Sequence, residues 1–211
     1  MRIVKEHDLR RKEIMDTAAR LFTTKGYNQT TVNDILREIG IAKGTFYHYF
    51  KSKEEVMDAV IDRIIDFDVM MAKEIVADNS ISPTEKLYRI LLAQKPLQGD
   101  SKDKILETLH KPSNADMHLR SMTQSIQRLS PILAEVVEQG IQTGDFQTDY
   151  PQETMDFLLI SGQMLFDKAL FNWEPDETLQ KVKAFIHTAE LLLGAPKGSF
   201  GYINEILTGG E

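Results

Sequence analysis

The chain has no cysteine. Disulfides, zinc-thiolate sites and thiol catalysis are thereby excluded, and a reducing compartment suits it. Long apolar runs are missing too: no stretch reaches the ~18–20 residues that span a bilayer. The opening MRIVKEHDLRRKE is charged and leads into an amphipathic pattern, not into the apolar centre of a secretory leader. We therefore expect a soluble cytoplasmic protein without a membrane partner. No strand pattern, internal repeat or low-complexity stretch emerges. Chemistry-bearing motifs are also scarce. His7, His48, His110, His118 and His187 are scattered without paired metal spacing, and Asp116-x-His118 is the nearest to a metal pair. There is no G-x-S-x-G and no strand followed by G-x-x-x-x-G-K. Gly194, Gly198 and Gly201 follow a helical segment, so they mark a loop. No catalytic residue, metal or cofactor is expected.

What is present is a helical pattern on 42% hydrophobic residues, enough for a packed core in 211 residues. Charge is unevenly spread. Residues 1–53 hold 11 Lys/Arg against 6 Asp/Glu, the rest 14 against 26, for the overall −7. A basic head on an acidic body suggests that only the head meets a polyanion.

Ile14, Ala18, Leu21 and Phe22 share one helix face, and Gly26 ends that helix. Val32, Ile35, Leu36 and Ile39 mark a short second helix with Thr30 or Thr31 as its cap. Gly40 breaks the pattern, and Phe46 and Phe50 then share a face at i, i+4. Ser52 and Glu55 read as a capping box. Val56, Val60, Ile64, Phe67, Met71 and Ile75 extend the next helix over residues 53–77, about 37 Å at 1.5 Å per residue.

Breaks fall at residues 79–83, 95–101 and 111–114; Ser82-Pro83-Thr84-Glu85 starts one further helix with Pro at N1, and others lie near 102–110, 117–127 and 131–143. Tyr150-Pro151 opens a helix of about 21 residues that Trp173-Glu174-Pro175 ends, by the pattern of apolar spacing. A last strong helix covers 177–193. The tail from Lys197, with four glycines, is a weak helix candidate.

Three helices, the last two short and closely spaced, predict a helix-turn-helix. Periodicity alone would fit any small helical bundle. The third helix sharpens the reading, because its outer face offers Lys43, Thr45, Tyr47, His48 and Tyr49, donors suited to phosphates and base edges. Gly44 near its start lets a phosphate approach the backbone.

The stretch GYNQTTVNDILREIGIAKGTFYHYFKSKEEV, residues 26–56, resembles the DNA-binding signature of the TetR family of bacterial regulators. The likeness covers about 45–50 residues when the first helix is included, and the body matches only in length and helical layout. It departs from the family pattern in three places: Leu36 and Ile39 stand where alanine is common, and Ala42 replaces a serine. The resemblance implies contacts to DNA phosphates or sugars from Tyr47 and Tyr49. It places Lys43, Gly44, Thr45 and His48 in or beside the major groove. Lys53 would hold a phosphate, and Thr31 and Asn33 would face the backbone and a base edge.

The resemblance also implies an all-α architecture. Residues 1–52 would form the DNA-binding domain and residues 53–211 a helical domain for ligand sensing and dimerisation. Two-fold pairing would set two recognition helices ~34 Å apart on a palindromic operator in double-stranded DNA. In the helix after Pro151, Met155, Leu158, Leu159, Gly162 and Leu165 belong to one apolar stripe, and Phe157, Ile160, Met164 and Phe171 form a second. Leu179, Val182, Ile186, Ala189 and Leu193 give the last helix its stripe. The first stripe and the last helix are the candidate homodimer interface, as a four-helix bundle; both could instead be core of the monomer.

The pocket likewise comes from the resemblance. Candidate lining residues are Phe67, Met70, Met71, Tyr88, Met117, Met122, Met164, Phe166 and Trp173, since flexible methionines and aromatic rings suit a small, lipophilic effector. Together these imply a ligand-responsive repressor. An enzyme, and a DNA binder that needs no small ligand, stay open as rivals; a fully packed body would favour the latter.

Overall fold

In the computed structural model the backbone is described for residues 2–208 and side chains for residues 7–207. The first six residues, read above as part of a charged opening, lie outside the described side chains, as do Gly209 and Gly210 of the tail. All regular structure among the described residues is helical, in ten α-helices. No helix among them is long and apolar enough to cross a membrane.

The chain forms two compact units, Met1–Ile64 with Pro96–Ser121 and Ile65–Lys95 with Met122–Glu211. The division expected after residue 52 falls instead inside the fourth helix, and a second segment joins the head.

In the first unit, α1 (Arg2–Leu21) runs into a π-helical turn, Phe22–Gly26. It buries Ile14, Ala18 and Phe22. α2 (Val32–Ile39) starts at a complete capping box: Thr31 Oγ1 accepts from the Asp34 amide at 3.2 Å, and Asp34 accepts from the Thr31 amide at 2.9 Å. Gly40 ends α2 in a left-handed conformation, φ 76°, which non-glycine residues rarely adopt. α3 (Lys43–Tyr49) follows at once. Ile35, Phe46 and Phe50 are buried beneath the pair. Truncating Phe46 to alanine would cost about 3–5 kcal/mol, so these side chains hold the angle between α2 and α3. α6 (Ser101–Leu109) packs on the π-turn and α1 through buried Ile105 and Leu109.

α4 (Lys53–Ala77) supplies residues to both units, as does α7 (Ala115–Thr143). The second unit adds α5 (Pro83–Gln94), α8 (Pro151–Leu165), α9 (Pro175–Leu192) and α10 (Tyr202–Thr208). Its core centres on α7, where Leu129, Leu133, Val136 and Val137 have no exposed surface.

Three elements differ from the sequence expectation. The helices expected at 117–127 and 131–143 are one, with Pro131 inside it. An interior proline costs about 3 kcal/mol, and buried neighbours on both sides, Leu129 and Ile132 among them, outweigh it. α8 is 15 residues long instead of about 21. The Asp167 carboxylate takes the Ala169 amide at 2.6 Å, and the Trp173 indole donates to the Leu165 carbonyl at 2.8 Å. Those bonds satisfy groups that a longer helix would have used. The glycine-containing tail forms α10, packed on α9 and α5.

Candidate functional site

α3 buries Phe46 and Phe50 and turns Lys43, Gly44, Tyr47 and His48 outward; Thr45 and Tyr49 are half-buried at its edges. Tyr47 is 47% exposed, so its ring and hydroxyl are open to a partner. The Lys43 ammonium lies 5.8 Å from the Tyr47 ring centroid, so cation and phenol sit on one surface. A Cβ added at Gly44 would meet nothing within 4 Å. Glycine inside a helix costs about 1 kcal/mol against alanine, and no packing demand offsets it here. Ala42 leaves α3 without a side-chain cap.

Around α3, the sequence-expected residues divide. Asn33 is exposed on the first turn of α2. Thr31 is exposed as well, but its hydroxyl is committed to the capping box, donating to Asp34 at 2.8 Å. Lys25 and Arg37 also bind Asp34, at 2.6 and 2.7 Å. The Lys25 hydrogen bond first, then those from the Thr31 amide and hydroxyl, hold the Asp34 carboxyl well below the usual carboxylate range. Lys53 turns onto the π-turn. Its ammonium donates to the Tyr27 carbonyl at 2.9 Å and lies 4.1 Å from that ring's centroid. Burial there lowers its pKa. Lys53 thus pins the first turn of α4, a task its place in the sequence did not reveal. His7 was not among the expected site residues. Its ring lies 4.6 Å from that of Tyr49 and 5.7 Å from that of His48, so α1 borders the outer face of α3.

The second unit contains a cavity of about 210 Å³ among α5, α7, α8, α9 and α10. None of the nine expected pocket residues lines it. Phe67 and Met70 are 55% and 47% exposed, Met164 is also exposed, and Met71, Tyr88, Met122, Phe166 and Trp173 are partly buried. Tyr88 packs on Tyr202 and Phe166 on Phe185, each one ring behind the wall. Met117 is buried in the first unit.

Cavity-lining residues come instead from the candidate dimer set: Met155, Leu158, Leu159, Gly162, Ala189 and Leu193. Phe185 of the same chain sits over Gly162, where an added Cβ would lie 3.1 Å from its ring, so the close crossing there is within one chain. Val182 is wholly buried, Leu165 and Ile186 partly so, and Leu179 is exposed. A side chain with no exposed surface in one protomer cannot touch a second copy. The second stripe of α8 is the exposed one, with Phe157 at 63%, Ile160 at 44% and Met164 at 42%. Which stripe faces inward is settled by the tertiary packing of α8 on α7 and α9, which periodicity does not encode.

Two family models match the chain. The one described as bacterial regulatory proteins, tetR family, matches residues 14–60. The one described as tetracyclin repressor-like, C-terminal domain, matches residues 99–188. The HTH-type transcriptional repressor KstR2 of Mycobacterium tuberculosis is 35% identical over 92 residues, which is 44% of this chain and 46% of that protein. The chain spans less than half the length of the first three curated relatives it matches. The fatty acid metabolism regulator protein of Bacillus subtilis is 26% identical over 166 residues, 76% of this chain and 81% of that one. Among solved structures, SmeT, the repressor of a Stenotrophomonas maltophilia multidrug efflux pump, superposes with a TM-score of 0.58 at 16% identity, covering 90% of this chain and 92% of its own. That likeness shows the fold. A helix-turn-helix under one family model, a helical body under the other and a shared fold lead to one conclusion: the chain belongs to the TetR family of bacterial transcriptional regulators.

Proposed function

We propose that the chain is a transcriptional repressor that binds an inverted-repeat operator as a homodimer and is released by a small lipophilic effector. One observation carries the DNA reading. The exposed face of α3 joins a glycine that packing does not require to Lys43, Tyr47 and His48. A partner that needs close backbone approach and hydrogen-bond donors explains both features, and a nucleic-acid groove is such a partner. Lys43, Thr45, Tyr47, His48 and Tyr49 contact the duplex, with Asn33 at the edge. Thr31 and Lys53 hold α2 and α4 in place beneath them. The protein acts by binding and not by catalysis.

The exposed stripe Phe157, Ile160 and Met164, spaced i, i+3, i+7, supports pairing of α8 with its two-fold mate. Leu191, 67% exposed on α9, is a further apolar side chain left uncovered in the single chain. The relatives' names, a repressor and a fatty acid metabolism regulator, support repression and a lipophilic effector.

Release requires the effector to favour a state that binds DNA poorly. By linkage, operator DNA then weakens effector binding by the same factor. α4 is the route we favour, since it begins with the residues that follow α3 and ends in the effector unit. The test is Tyr47→Ala in the full chain. Operator affinity should fall at least about tenfold, the worth of one hydrogen bond to a charged group, with the thermal midpoint unchanged. Unchanged affinity would sink the assignment of α3 as the reading helix.

A further inference from the structure

The cavity's chemistry narrows what can enter it. Its volume of about 210 Å³ exceeds the ~150 Å³ of an engineered apolar cavity that takes benzene. It has room for roughly eight non-hydrogen atoms on that scale. No Lys, Arg, His, Asp or Glu lines it. A carboxylate or phosphate brought there would lose its hydration with no cation to meet it. One lining residue carries an unmet polar group: the Tyr202 hydroxyl is buried without a hydrogen-bond partner. Native interiors rarely leave such a donor unpaired. Burial first, then the nearby charge of Glu85, raises its pKa far above neutrality, so the phenol keeps its proton. Of the two lining glutamines, Gln94 already donates to the Ile90 carbonyl at 3.2 Å, and Gln163 is only partly buried, so its amide can reach solvent as the Tyr202 hydroxyl cannot.

The wall that carries Tyr202 is anchored in place. α10 reaches α9 through residues 194–201. Buried Glu190 accepts from the Gly198 amide at 2.5 Å, and the Gln147 amide donates to the Leu193 carbonyl at 2.7 Å. Gly198 has φ 92°, a conformation other residues rarely adopt, so the course of this strap is specified by sequence. Ile203 and Ile206 of α10 complete the wall beside Tyr202.

We propose that this cavity binds an uncharged, lipophilic molecule carrying one hydrogen-bond acceptor, an ester or ketone oxygen, which takes the Tyr202 hydroxyl while α10 covers the chain. This rests on the reading of the protein as an effector-responsive regulator and names the effector's chemical class. A free fatty acid and an acyl thioester bearing a charged nucleotide are both disfavoured, because the wall offers their charge no partner.

The test is calorimetric titration of the full chain with methyl pentanoate and, separately, sodium pentanoate. The ester should bind saturably and the carboxylate at least tenfold more weakly. Tyr202→Phe should weaken the ester about three- to tenfold, the worth of one hydrogen bond, and leave the carboxylate unchanged. Ile206→Trp should abolish ester binding by filling the cavity. Should that variant misfold, nuclear Overhauser contacts from the ester to the Leu159 and Ile206 methyls of the unaltered protein decide the location. Absence of saturable ester binding, equal affinity for the carboxylate, or contacts elsewhere overturns the proposal. An ester that binds here without altering operator affinity upholds the site and overturns the regulatory reading instead.

Discussion

The ammonium of Lys86, on α5, donates to the Val76 carbonyl, on α4, and to Oε1 of Gln139, on α7, each at 2.7 Å. Lys86 is 2% exposed. Val76 belongs to the last turn of α4, where carbonyls lack helical partners and a cation is favoured. One buried cation therefore ties the end of α4 to two helices of the second unit. Its chain neighbour Leu87 lines the cavity. Under the proposed mechanism a ligand that displaces Leu87 would pull on α5 and, through Lys86, on α4.

Lys86→Met keeps the aliphatic stem and removes the bonds. Stability to urea should fall by about 1–3 kcal/mol, the cost of leaving a buried acceptor unpaired. Operator affinity without ligand should stay within a few-fold, and its response to a cavity ligand should shrink. A full ligand response in this variant would rule out Lys86 as the link.

Gly44→Ala separates fold from function. The helix should gain about 0.5–1 kcal/mol, because alanine is the better helix former and a Cβ meets nothing there. Operator affinity should fall, because on the proposed reading the same Cβ would stand where the duplex approaches. Chemical denaturation and fluorescence anisotropy on one preparation check both. A variant that is stabilised and binds DNA as before would show that the glycine serves no ligand.

The two stripes of α8 should behave oppositely. Ile160→Asp puts a charge on the exposed stripe and should give a folded monomer by light scattering with unchanged circular dichroism. Leu158→Arg buries an unpaired charge in the core, at a cost of several kcal/mol, and should unfold the second unit. A folded monomer from Leu158→Arg, with dimers persisting in Ile160→Asp, would return the interface to the first stripe.

Acid should reach the head through Asp34. Its carboxyl is held below the ordinary range in the folded state by Lys25 and Thr31. A depressed carboxylate contributes fully above the unfolded value of about 3.9 and loses that contribution as pH falls through the folded value. Asp34→Asn should therefore lower the thermal midpoint at pH 7 and flatten its fall below about pH 4. Identical pH profiles for the two proteins would remove Asp34 from the account.

α4 is legible in the sequence because both ends and one face are written locally. Ser52 accepts from the Glu55 amide at 3.2 Å, and Glu55 reaches back to the Lys51 amide, one residue before the expected partner. The buried face of α3 is legible for the same reason: Phe46 and Phe50 are four residues apart. The end of α8 is not. Phe166, Leu170 and Phe171 continue an apolar run, while a side chain at Asp167 captures the backbone and stops the helix. The cavity escaped for another reason. Tyr202, Ile203, Ile206 and Leu207 make one helical stripe, but flanking glycines weaken the local signal, and only packing on α9 and α5 makes it a wall. Methionines at 70 and 164 looked like pocket lining by composition. Their exposure is set by which way each helix turns, a tertiary property.

The central claim is that two copies of α3 read an operator together. It is tested most directly by selecting duplexes from a random-sequence library with the full-length protein and sequencing what is retained. The expected result is an inverted repeat whose half-site centres lie about 10 base pairs apart or a multiple of that, bound more weakly as salt rises from ~50 to ~200 mM. Enrichment of no sequence, or of a single unrepeated site with affinity unchanged across that salt range, would contradict it.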